Sequence, residues 1–262
     1  MPIVVDLLVR RKEQKVIGDA GVLDLIIGDR VVVEIDQAQE VGVVISKERM
    51  VEKVKGEIYK ILRKLSQDDI LRLEENKEKN ISATKVVMQK IEEYELNMKL
   101  TCVEYSLDRT KLFIYYTADT RIDFRKLVKE LGHVLKTRIQ MVQIGVRDEA
   151  KMLGGIGPCG RIFCCKSFLR DFTSVTIDMV RIQDPSMNIG KLSGVCGRLM
   201  CCIAYEDAFY SEQEKKMPKV GSRIHTPEGT GTVISVHYIK EEITVELADK
   251  QIRKFNLQEL KL

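Results

Sequence analysis

One phrase occurs twice in this chain, and it constrains what the chain can fold into more than any other feature. Gly157-Pro158-Cys159-Gly160-Arg161-Ile162-Phe163-Cys164-Cys165 and Gly194-Val195-Cys196-Gly197-Arg198-Leu199-Met200-Cys201-Cys202 both read Cys-Gly-Arg, two apolar residues, Cys-Cys. The copies lie 37 positions apart (196 − 159). Six of the seven cysteines fall in them, Cys102 stands alone, and the chain has only three histidines. Thiols clustered in a repeated order point to a thiolate-bound metal centre.

Thiolates select zinc or iron–sulfur clusters among the common metals. Structural zinc usually takes Cys-x2-Cys pairs, because a short loop lets two sulfurs grip one ion. Here the spacing is Cys-x4-Cys-Cys, a wider loop that suits a cluster larger than one ion. Gly155, Gly157, Gly160, Gly194 and Gly197 allow close backbone approach and could donate N–H groups to cluster sulfurs. Arg161 and Arg198 either offset the negative charge of a thiolate centre or are ordinary surface arginines. Neighbouring side chains diverge on a helix or strand, so Cys164 and Cys165 should not both reach one metal. Two arrangements then fit. One thiol of each Cys-Cys pair joins Cys159 and Cys196 at a pseudo-twofold junction, or each triplet serves its own site with a thiol from a partner chain. Zinc, and metal-free redox or packing thiols, are the competing readings.

Gly155 to Gly160 also matches the dinucleotide pattern G-x-G-x-x-G. Pro158 interrupts it and no strand directly precedes it, so phosphate or flavin binding there is set aside. His133, His225 and His237 have no nucleophile motif near them.

Length and charge set the wider bounds. A chain of 262 residues, 44% apolar and 31% charged, should fold into two or three domains rather than stay disordered. The net charge of +4 gives no overall polyanion signal. From Lys47 to Lys64 seven basic residues face three acidic ones, a pattern read first as a solvated helix face. Met1-Pro2-Ile3 does not open a secretory signal, and no apolar run is long enough to span a bilayer. A cytoplasmic protein is expected, where clustered thiols serve as ligands or redox groups rather than disulfide staples.

The fold class expected is α+β. Ile3–Val5, Leu23–Ile26, Val31–Ile35 and Val41–Ile45 read as strands of a small N-terminal sheet or barrel over residues 1–50. Residues 51–150 read as a helical hairpin plus an α+β unit. Ser66 caps a helix there, Val87, Ile91, Tyr94 and Met98 form an apolar stripe, and Asp108-Arg109-Thr110 turns a hairpin. Phe124, Leu127, Val128, Leu131 and Leu135 make a second stripe, before a strand from Arg138 to Val146. Cys102 is expected in the sheet as a buried, inert thiol. Residues 151–215 form the cysteine-rich region, with short helices starting near Phe163 and near Leu199. Residues 216–262 form a small barrel-like sheet.

The run from Arg147 to Arg161, Arg147-Asp148-Glu149-Ala150-Lys151-Met152-Leu153-Gly154-Gly155-Ile156-Gly157-Pro158-Cys159-Gly160-Arg161, with the second Cys-Gly-Arg phrase after it, resembles a bacterial family, RicT (YaaT). That family carries the polymerase-suppressor C-terminal domain. The resemblance implies a non-enzymatic subunit of a ternary complex with two small helical proteins, RicA-like and RicF-like, that holds 4Fe–4S clusters. It implies association with RNase Y, hence with the membrane through that partner, and maturation of particular transcripts. Support of the sporulation phosphorelay, competence and biofilm formation is implied as well. Cluster ligation then transfers to Cys159, Cys164, Cys165, Cys196, Cys201 and Cys202, with Cys159 and Cys196 ranked first. A flavin is also implied, with no residue assigned to it. Two other classes compete: a direct RNA-binding module with structural zinc, and a redox enzyme.

Overall fold

The computed structural model describes residues 2–9, 14–51, 56–183 and 188–260. The chain divides into two compact units, Met1–Leu153 and Gly154–Leu262.

In the first unit, β1 (Ile3–Val9), β2 (Gln14–Asp19), β3 (Arg30–Ile35), β4 (Ala38–Val44) and β6 (Ile58–Lys64) close a five-stranded barrel. Its order is β1-β2-β6-β3-β4 and back to β1, parallel only between β2 and β6. A two-residue β5 (Arg49–Met50) adds to β1. Closure leaves no long sheet edge to pair with another chain. Runs of valine build it because β-branched side chains pack well on a pleated surface. Val31, Val32 and Val33 are all buried because alternate side chains face opposite sides, and both sides are covered. Val31 and Val33 fill the barrel, while Val32 packs outward with Val41, Leu73 and Leu107.

Helix α1 (Gln67–Glu93) follows β6 at once. Ser66 Oγ accepts from the Asp69 N–H, and the Asp69 carboxylate accepts from the Ser66 N–H, a reciprocal capping box. The same carboxylate binds the Arg63 guanidinium, tying the end of β6 to the first turn of the helix. Burial accordingly gives way to pairing, and Arg63 holds Asp69 down to about 2. Helices α1 and α2 (Arg125–Leu135) cover one face of the sheet formed by β7 (Lys99–Tyr105), β8 (Lys111–Thr117) and β9 (Arg138–Gln143). Leu127 and Leu131 of α2 are buried there with Val87, Ile91, Leu112 and Ile114, each contributing about 1.5–3 kcal/mol. Helix α3 (Val146–Leu153) ends the unit.

Three sequence expectations change here. Leu23–Ile26 is not a strand; turns bracket it, Leu25 is buried in the barrel core and Leu23 packs against that core. The basic stretch is not a helix face. Its described part contains β5 and β6, and β6 belongs to the barrel rather than to the segment after residue 50. In place of a helical hairpin there is one continuous 27-residue helix, with the strands that follow it supplying the return. The stripe of Val87, Ile91, Tyr94 and Met98 outruns this helix, which ends at Glu93, yet all four residues join one core.

In the second unit, α4 (Cys164–Ser167), α5 (Ile177–Gln183), α6 (Ile189–Leu192) and α7 (Cys201–Lys216) precede an antiparallel sheet. Its strands β10 (Arg223–Thr226), β11 (Gly229–His237), β12 (Glu242–Leu247) and β13 (Ile252–Asn256) pair in sequence order. Gly231 is required by close approach: a Cβ there would lie 2.6 Å from the Glu246 carbonyl oxygen across the ladder. Among the described residues no helix is long and apolar enough to cross a membrane.

Candidate metal centre

Each cysteine phrase folds into the same knuckle. Ile156 bridges Ile162 across the first, and Ser193 bridges Leu199 across the second. The Gly157 N–H donates to the Arg161 carbonyl at 2.8 Å, and the Gly194 N–H donates to the Arg198 carbonyl at 2.8 Å. Inside these bonds, Gly160 N–H donates to Gly157 and Gly197 N–H to Gly194, both at 2.9 Å. Gly160 and Gly197 make the turn at φ +78° and +74°, a conformation that costs an L side chain about 1–2 kcal/mol. Cys159 Sγ and Cys196 Sγ each sit over their own turn, above Gly157 and Gly194. The sequence repeat is thus a backbone repeat, bond for bond.

The exits match as well. Phe163 N–H returns to the Gly155 carbonyl at 3.1 Å and Met200 N–H to the Leu192 carbonyl at 2.9 Å. Both residues then turn with nearly equal dihedrals, φ −46°, ψ 129° and φ −59°, ψ 127°. The next residues, Cys164 and Cys201, are therefore the first residues of α4 and α7. The copies exchange bulk: Phe163 packs so closely on Gly155 that a Cβ there would lie 2.9 Å from its ring, whereas the second copy uses Leu192 and Met200. Val180, Leu192 and Ile203 bury the second knuckle's side of the unit, with Leu199 and Met200 packed against them. On the first knuckle, Ile156, Ile162 and Cys159 are exposed.

The knuckles meet at their second cysteines. Cys201 lies beside Cys164. Burial pushes the Cys164 thiol up, and neighbouring Cys201 and Cys159 add to the rise. Burial likewise pushes Cys202 up to about 11, with Cys164, Glu206 and Cys201 adding to it. Thiols this close keep one another protonated, and a cation is the partner that would let them ionise together, with release of protons. Cys165 is 7% exposed inside the unit, and Cys196 is half-buried. Arg161 and Arg198 hold the turns through their carbonyls alone and leave their side chains exposed.

Among the described residues no three His, Cys, Asp or Glu side chains converge as ligands of one metal ion. A single zinc ion needs four donors, with sulfurs about 2.3 Å from it. Cys164 has Cys201 and Cys159 as neighbours and Cys202 has Cys164 and Cys201, so thiols from both knuckles lie near one another, and thiolates are the donors an iron–sulfur cluster takes. The pairing of Phe168 with Tyr205 was not foreseen from the sequence. Its signal is the 37-residue offset, which runs past the Cys-Cys pairs to Phe168/Tyr205 and Phe172/Phe209.

Elsewhere, Cys102 lies half-buried in β7, its thiol pushed up to about 12 by burial and by Glu104. A protonated thiol of this kind is unreactive, as the sequence reading expects, although its burial is partial. In the basic stretch, Arg49, Arg63 and Lys64 pair with Asp6, Asp69 and Asp29. Lys53 and Lys55 lie outside the described residues. Cations neutralised by their own chain release few counterions on meeting a phosphate backbone.

Two family models match the chain. The PSP1 C-terminal conserved region matches residues 59–144, from β6 to the end of β9, and the third domain of PSP1-like proteins matches residues 174–217, which include the second knuckle. Stage 0 sporulation protein YaaT of Bacillus subtilis (strain 168) is 44% identical over 223 residues, or 84% of this chain and 81% of that protein. An uncharacterized protein of Schizosaccharomyces pombe is 31% identical over 157 residues, 49% of this chain and 21% of its own. Protein PSP1 of Saccharomyces cerevisiae is 47% identical over 49 residues, 19% of this chain and 6% of its own. No solved structure matches.

Proposed function

We propose, from the premise that this chain belongs to the RicT (YaaT) family of PSP1-domain proteins, that it is a non-enzymatic iron–sulfur regulatory subunit. The observation that carries this reading is the pair of matching Cys-Gly-Arg knuckles with Cys164 set against Cys201. Cys159, Cys164, Cys196 and Cys201 are the thiols to hold a 4Fe–4S centre, one from each turn and one from each helix start. Cys165 packs inside the unit, and Cys202 backs the site beside Glu206. When bound, the centre supplies an oxidant-sensitive cross-brace whose ligation energy becomes folding energy for the unit. The knuckle backbones fix the sulfurs before it arrives, and the arginine side chains at the turns offset its charge.

The family carries the rest of the reading. The chain would work in a ternary complex with RicA-like and RicF-like helical proteins, joined to RNase Y in transcript maturation. A role in sporulation extends to this chain what the printed name of the Bacillus subtilis relative says of that protein. Competence and biofilm formation follow from the same complex.

Oxygen-free purification of the chain, alone and with the two small partners, tests this reading through iron and sulfide assay and a visible spectrum. Matching iron and sulfide with a broad charge-transfer absorption is expected. Preparations that hold neither iron nor sulfide, with partners and without, would overturn it.

A further inference from the structure

We propose that the outward face of α2, with the residues flanking it, is a contact surface for the phosphodiester backbone of single-stranded RNA. From Arg121 to Arg138 the chain carries six Lys or Arg residues against two acids, Asp123 and Glu130. Both acids are already engaged. Asp123 pairs with Arg125 at 2.8 Å, and Glu130 takes the Lys90 ammonium at 2.7 Å and the Tyr94 hydroxyl. Arg121, Lys126, Lys129, Lys136 and Arg138 are all exposed, and none of them pairs with a carboxylate among the described residues. Leu127 and Leu131 point α2 into the core. Lys126, Lys129, His133 and Lys136 recur at three, four and three residues, which stacks them along the opposite side of the helix. At 1.5 Å per residue that row is about 15 Å long, enough to follow a strand past several phosphates.

Unneutralised cations are what a polyanion selects, because each phosphate they meet releases a condensed counterion. The stretch from Lys47 to Lys64 differs in this respect, since Arg49, Arg63 and Lys64 are paired within the chain. A solvated helix face usually mixes its signs, and the outward row of α2 does not. An anionic membrane fits less well. A helix lying on lipid buries its apolar face there, whereas the apolar face of α2 is occupied by the protein core and Val134 is its one exposed large apolar residue. The row also has no exposed ring on which a base could stack: Phe124 is half-buried and packs edge to face on Tyr116. The surface therefore reads charge and not sequence. The choice of RNA over other polyanions rests on the transcript role proposed above, while the row of free cations is a property of the fold alone.

The test uses the full chain and a short fluorescein-labelled uridine oligomer, with anisotropy read across a salt series. Affinity should fall with salt at a log–log slope of about −3, from about 0.7 per phosphate contact. The Lys126→Gln/Lys129→Gln/Lys136→Gln variant should reduce that slope by about 2 and weaken binding about 100-fold at about 0.1 M salt. Lys240→Gln/Lys250→Gln/Lys254→Gln removes the same charge from exposed positions of the C-terminal sheet and should leave both unchanged. All six side chains are exposed, and circular dichroism with a urea midpoint shows that each variant is folded. A parallel arm offers phosphatidylglycerol vesicles. Vesicle binding without oligomer binding, no oligomer binding at all, or oligomer binding that survives the α2 substitutions would each overturn the proposal. An iron assay on the same preparations separates this surface from the cluster. A chain that binds the oligomer and never takes iron sinks the cluster alone, and one that takes iron and never binds the oligomer sinks the surface alone.

Discussion

The rings of Phe168 and Tyr205 meet edge to face, centroids 5.1 Å apart at 64°, each four residues beyond the helix-starting cysteine of its own knuckle. They are counterparts in the two copies, as Cys164 and Cys201 are, so the repeat is paired face to face rather than merely strung along the chain. The aromatic contact holds the geometry on which the thiol contact depends.

Removing either ring should loosen that geometry. Phe168→Ala or Tyr205→Ala is expected to cost about 1–2 kcal/mol, of which about 0.5–1.5 kcal/mol is the ring–ring interaction itself. A double-mutant cycle read by urea unfolding isolates the coupling. Strictly additive losses would show that the rings do not support each other.

The thiols should divide by position. Cys164→Ser and Cys201→Ser, like Cys159→Ser and Cys196→Ser, are expected to lose bound iron after anaerobic reconstitution and to weaken assembly with partners. Cys165→Ser should keep its iron and lose stability instead, because that thiol is packed inside the unit. Iron content per chain beside a urea midpoint checks both halves, and full iron in the first four variants would refute the assignment.

The knuckle turns depend on glycine. Gly160→Ala and Gly197→Ala place a Cβ on residues at φ +78° and +74°, and each should cost about 1–2 kcal/mol. The space beside both glycines is open, so the cost is conformational and not a clash. Asparagine tolerates this region better, so Gly160→Asn should lose less than Gly160→Ala when unfolding is compared.

Acid should weaken the joint between barrel and helix. Asp69 titrates at about 2 in the folded chain against 3.8 unfolded, held down chiefly by Arg63. A lowered folded value means the stabilisation is complete above about pH 4 and is lost as pH falls towards 2. At most about 2–3 kcal/mol is at stake. Unfolding free energies from pH 6 to pH 2 should therefore slope less for Asp69→Asn than for the natural chain; equal slopes would assign the acid sensitivity elsewhere.

Periodic and capped segments were legible without coordinates. The Leu127–Leu131 stripe, the Ser66 cap and the Asp108-Arg109-Thr110 turn each follow from contacts among near neighbours in the chain, and all are present. Leu23–Ile26 and the segment up to Lys64 misled because composition does not say what lies across from a strand. β6 became part of the barrel by pairing with β2 and β3, a choice made by residues more than twenty positions away.

By itself the sequence determined that six thiols come in two like settings, since a repeated phrase of glycines and cysteines can close only a few kinds of turn. Its valine runs marked β1, β3 and β4 as sheet, and its apolar stripes marked α1 and α2 as helix. Only the tertiary structure decided that the copies face each other at Cys164 and Cys201, and that Cys165 is packing while Cys159 is exposed. The reason is physical: turn geometry is set by bonds between residues a few positions apart, whereas the meeting of two sulfurs 37 positions apart depends on how whole helices pack.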